Sequence, residues 1–97
     1  MNTRMFAMPY LSDQFYELKA LSVSSCGDGI VEVESNIEDW KYIKRQHKAR
    51  ALMLFGFMFP DGQRLTVRGF IESRRRDPLG CTCHFEIRTT EHMKEIE

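Results

Sequence analysis

The chain has no excess charge of either sign: 14 Lys and Arg offset 14 Asp and Glu, so the formal net charge is zero. That excludes a module held on nucleic acid by bulk positive charge, though not a local basic patch. It also lacks a long hydrophobic run. The longest, residues 51–60, holds Gly56 and stops at Pro60-Asp61-Gly62, short of the roughly 20 apolar residues that span a bilayer. The first eight residues carry no basic stretch followed by a sustained apolar one, so no secretory signal is expected. Composition points to a soluble, cytoplasmic protein. Cysteine is scarce: three cannot all pair internally, and the odd count suits a reducing compartment. Cys81 and Cys83 would share one strand face with Phe85 and Ile87, while His84 would point the other way. With no second Cys/His cluster, no metal site is expected.

Catalytic signatures are missing too. There is no nucleophile elbow, no Gly-Lys-Ser/Thr phosphate loop and no His-Glu-x-x-His helix. His47, His84 and His92 fall on segments with different expected faces, and Glu32 and Glu34 share a solvent face. No enzyme is expected, and no cofactor.

What remains is ordinary globular material: 97 residues, 42% hydrophobic and 29% charged, a single domain over 1–97 that buries about 60–65% of its unfolded surface. Residues 1–10 read as an extended N-terminal arm ending near Pro9. Residues 15–23 alternate partly and predict a strand. Residues 24–29, Ser-Ser-Cys-Gly-Asp-Gly, are turn chemistry. Residues 30–34 predict a strand with Val31 and Val33 inward. Between 35 and 50, Ile37, Trp40, Ile43 and His47 recur at helical spacing behind Ser35 or Asn36 as cap.

Residues 51–59 read as a buried strand, and Pro60-Asp61-Gly62 as a hairpin turn leading to a return strand over 65–72. Residues 74–80 predict a loop and 81–89 another strand. Thr90 reads as the N-cap of a C-terminal helix over 90–97, with Met93 and Ile96 on one face. No stop signal follows, so this helix either frays at a natural end or opens a longer segment. The inventory predicts a mainly β fold: a small antiparallel β-barrel of about six strands with a C-terminal helix.

Two features suit ligands. Ser22-Val23-Ser24-Ser25-Cys26-Gly27 places hydroxyls and backbone amides before a glycine turn, where an anion could be held. Lys41, Lys44, Arg45, Lys48 and Arg50 form one basic run and Arg74-Arg75-Arg76 another. Guanidinium forks bind phosphate and guanine edges bidentately.

In the order of its parts the chain resembles the PilZ domain, a small antiparallel barrel with a C-terminal helix that in many members binds cyclic di-GMP. Arg4-Met5-Phe6-Ala7-Met8-Pro9 stands where the family has its Arg-x-x-x-Arg arm. Ser22-Val23-Ser24-Ser25-Cys26-Gly27 stands at its Asp/Asn-x-Ser-x-x-Gly turn, and residues 65–71 and 84–87 at its later strands. The resemblance implies a non-enzymatic regulatory domain of a bacterial cyclic di-GMP system. It implies a ligand site made of Arg4, Ser22, Ser24 and Gly27, with Arg74 as a compensating cation from the neighbouring loop. Met8 stands where the second arm arginine falls, and Ser22 where the acidic or amide residue falls. Losing one bidentate contact costs about 1–3 kcal/mol of affinity. A PilZ-like adaptor that has lost nucleotide binding and serves a protein partner or an additional domain is therefore the alternative. A further one is a small nucleic-acid-binding barrel using residues 41–50 with Phe55, Phe57 and Phe59. Against it, those Phe lie in the most apolar strand, where they are expected in the core.

Overall fold

The computed structural model describes residues 3–90. All but the first residue of the expected C-terminal helix, Met93 and Ile96 included, therefore lies outside the described residues. The fold is mainly β: β1 Arg4–Pro9, β2 Tyr16–Leu18, β3 Ala20–Gly27, β4 Ile30–Asn36, α1 Trp40–Ala49, β5 Met53–Met58, β6 Arg64–Arg76 and β7 Thr82–Thr89. A 3-10 turn over Ile37–Asp39 leads into α1, and the Asn36 side chain caps it by accepting from the Glu38 N–H at 2.8 Å.

The seven strands make one antiparallel sheet in the order β2-β1-β5-β6-β7-β4-β3. Inward positions alternate along β1, β4, β5 and β7: Met5 and Ala7, Val31 and Val33, Met53, Phe55 and Phe57, and Cys83, Phe85 and Ile87 are buried. Ile43 of α1 completes this core. The helix bridges two parts of the sheet. Trp40 and His47 on one flank meet Arg74 of β6, and Tyr42 on the other stacks on Tyr16 of β2 at 4.2 Å.

The outermost strands, β2 and β3, are separated in sequence by Lys19 alone. The sheet therefore curls until its two ends share a corner. No ladder joins β2 to β3 among the described residues, so the sheet is not a closed barrel. At the corner the backbone of Lys19 is held by Asp39 of the 3-10 turn and by Asn36 at the end of β4. The Lys19 N–H donates to Asp39 Oδ2 at 2.7 Å, and its carbonyl accepts from the Asn36 N–H at 3.0 Å. Asp39, 1% exposed, also accepts from the Tyr16 hydroxyl at 2.9 Å.

Burial, and next the bond to Asp39, push the Tyr16 hydroxyl from 10.0 up to about 12. A raised value means that the folded state favours the neutral phenol. Its contribution is complete below pH 10 and is lost as pH climbs towards about 12. Urea unfolding at stepped alkaline pH is expected to show that decline, and Tyr16→Phe to flatten most of it. Tyr42, which burial also raises, leaves a residual slope.

Three local expectations differ from the structure. Residues 4–9 extend as expected, but as a strand paired with both β2 and β5 rather than as a free arm. The turn expected over 24–29 narrows to Asp28-Gly29, because Ser24 and Ser25 pair with Glu32 and Val31. Both turn residues have positive φ, 54° and 77°, the requirement of a tight I′ hairpin that Asp-Gly meets. The arginine triplet lies in β6, not in a loop, because β7 offers partners as far as Cys83. A bulge between Ile71 and Ser73 shifts the phase of β6. Arg74 and Arg76 consequently share the sheet face of their partners Phe85 and Cys83, and Arg75 takes the opposite face beside His84.

Candidate functional site

The five residues singled out by the sequence occupy three places. Arg4 is on the outer face of β1. Phe6 pairs with Glu17, so Arg4 sits diagonally from that glutamate on the same face. Its Nε and Nη2 donate to the two carboxylate oxygens at 3.0 and 3.2 Å, and its guanidinium lies over the Phe6 ring. The hydrogen bond to Arg4 holds Glu17 below the usual carboxylate range, and the same bond raises Arg4. A 480 Å3 groove runs beside this pair along the corner, from Thr3 and Arg4 to Ala20 and Leu21, and Ser22, Ser24, Gly27 and Arg74 do not line it.

Ser22 and Ser24 lie farther along β3 at the sheet edge, the Ser22 hydroxyl reaching Glu34 at 3.4 Å. Gly27 ends that strand at the hairpin with φ 76°, where a side chain would be strained. Arg74 faces α1. Its Nε donates to His47 Nδ1 at 2.8 Å, and its guanidinium stacks over Trp40 at 5.2 Å. Arg76 covers the same indole at 5.7 Å. The two basic runs of the sequence thus converge where α1 packs on β6. Sequence reasoning missed that meeting, because nothing in the one-dimensional pattern marks the bulge that turns Arg74 towards the helix.

Two further concavities lie elsewhere. A 440 Å3 cleft between α1 and the β1–β2 connection is floored by the Tyr16–Tyr42 stack and rimmed by Gln14 and Arg45. The Tyr42 hydroxyl beside it is buried without a hydrogen-bond partner among the described residues. A 400 Å3 groove on the outer face is almost wholly apolar, formed by Phe6, Met8, Phe15 and Leu54 around Gly56. Phe15 is 67% exposed there and meets Phe6 edge-on at 5.8 Å.

Phe55 and Phe57 are core residues, 1% and 2% exposed, which removes them as a platform for bases. Among the described residues no cluster of three His, Cys, Asp or Glu is placed to hold a metal, and no helix is long and apolar enough to cross a membrane. No family model matches the chain, and neither a curated protein nor a solved structure matches it.

Proposed function

We propose that the chain is a non-enzymatic regulatory domain of PilZ type that acts as a protein-interaction module and has lost cyclic di-GMP binding. The observation that carries this reading is the bidentate capture of Arg4 by Glu17. An exposed pair of this kind adds little stability. Its effect on a ligand is larger, because a phosphate drawn to Arg4 would meet the Glu17 carboxylate, and Met8 supplies no second cation. The curled antiparallel sheet, whose ends share the Lys19 corner, supports a small PilZ-type barrel as its fold. The outer apolar groove supports a protein partner, since contiguous exposed apolar surface marks interaction sites. Three unpaired thiols, Cys26, Cys81 and Cys83, support a cytoplasmic location.

Isothermal calorimetry of the full chain with cyclic di-GMP tests the proposal. No saturable heat is expected even with ligand in the submillimolar range. Micromolar binding that disappears in Arg4→Ala would instead restore a receptor that uses Arg4, Ser22, Ser24 and Gly27.

A further inference from the structure

Zero net charge conceals a polarised molecule. Helix α1 carries Lys41, Lys44, Arg45 and Lys48, with Arg50 at its C-cap, and contains no acidic residue. All five are exposed. Lys41, Lys44 and Lys48 follow one another at the spacing of a single helix stripe about 10 Å long. Lys44 sits on the turn between Trp40 and His47, the residues that hold Arg74, so the stripe runs into the Arg74–Arg76 pair.

Among the described residues, the cations of this region are not neutralised by neighbouring carboxylates. Carboxylates pair with Arg4, Lys19, His84 and Arg88, whereas none of the α1 cations, nor Arg74 or Arg76, has a carboxylate partner among the described residues. Arg74 is also held in position. With Nε on His47 and its plane over Trp40, the two Nη groups have no hydrogen-bond partner among the described residues. A fork fixed in this way loses less conformational freedom on meeting an oxyanion.

We propose that the cationic face formed by α1 and the distal end of β6 docks an acidic protein segment, whose carboxylates are taken by Arg74, Arg76 and the Lys44 side of the helix. The occupant follows from charge complementarity and from what the face lacks. Its cations are spread too widely for one small anion. The Trp40 ring is occupied by two guanidiniums, so the aromatic beside Arg74 and Arg76 is not free to stack a nucleobase. The exposed side of α1 carries no apolar side chain larger than Ala49 to enter a lipid interface. The inference deepens the interaction-module reading by giving the partner its chemistry.

Fluorescence anisotropy of the full chain with a labelled oligoglutamate peptide provides the test. Binding is expected at low salt, with roughly tenfold weakening between about 50 and about 200 mM salt as screening sets in. Arg74→Ala combined with Arg76→Ala is expected to weaken it at least about tenfold. Because that variant also uncovers Trp40, the exposed pair Lys44→Glu and Lys48→Glu supplies a second one, with unchanged circular dichroism and an equal or greater loss. Absence of saturable binding overturns the inference, as does binding that both variants leave intact. Tighter binding to oligothymidylate or to phosphatidylserine vesicles than to oligoglutamate overturns it as well. Cyclic di-GMP binding would remove the interaction-module reading while leaving an oligoglutamate result standing, so the two failures are distinguishable.

Discussion

Asp39→Ala is expected to destabilise the domain by about 3 kcal/mol, lowering the melting temperature by roughly 12–25 °C. The carboxylate is buried and accepts from the Lys19 N–H and the Tyr16 hydroxyl, at 2.7 and 2.9 Å. Truncation leaves both donors without an acceptor at the one point where the sheet ends meet. The Lys19 amide has no ladder to fall back on, since β2 stops at Leu18 and β3 starts at Ala20. Asp39→Asn is expected to be milder, about 1 kcal/mol. Its amide oxygen still accepts from Lys19, and its NH2 group donates to the Tyr16 hydroxyl oxygen, so the charge assistance and the acceptor for the Tyr16 O–H are lost while neither polar group of the corner is left without a bond. Urea unfolding of the two variants gives both values. An alanine variant within 1 kcal/mol of the parent protein, on the order of a single ordinary hydrogen bond, would show that the corner does not depend on Asp39.

Gly69→Ala is expected to cost about 3 kcal/mol or more, for a steric reason. Gly69 pairs with Thr89 on one side and Met53 on the other. A Cβ there would fall on the carbonyl oxygen of Arg88, close also to its carbonyl carbon and to the Thr89 Cα. These are backbone atoms of a paired strand and cannot swing aside as the tip of a side chain could. Relief requires β6 and β7 to separate. Gly56→Ala is the matched control: a Cβ at Gly56 meets nothing within 4 Å, so that variant is expected to be neutral or slightly stabilising. Thermal melts of the pair decide the matter. Equal stabilities would exclude the close approach of β6 to β7 as the reason for glycine at position 69.

Much of the sheet was legible from alternation. Val31 and Val33, Met53, Phe55 and Phe57, and Cys83, Phe85 and Ile87 face inward as their spacing demands, whereas Cys81, expected beside Cys83, is exposed before β7 begins. The helix followed from Trp40, Ile43 and His47, and its lead-in from the capping side chain of Asn36. β1 reads as extended but not as a paired strand because its outward residues, Phe6 and Met8, are as apolar as its inward ones, Met5 and Ala7, and this erases the period of two. Nothing in the sequence marks Asp39 as buried, because its partners, Tyr16 and Lys19, are 23 and 20 residues away. For the candidate site, residue types were readable and their grouping was not. The Arg4–Glu17 pair depends on the register between β1 and β2, and the turn of Arg74 towards α1 depends on one extra residue in β6. Both are properties of strand pairing that no local propensity encodes.

The single-residue corner at Lys19 also bears on how fast the chain folds. β2 pairs with β1, β1 with β5, β3 with β4 and β4 with β7, so Arg4 must find Met58 and Ile30 must find Arg88. Neighbours in sequence are thus brought together only by way of the most distant partners in the chain. Such closures restrict the chain before contacts reward them, which places the domain with the slower folders, on the order of milliseconds to seconds.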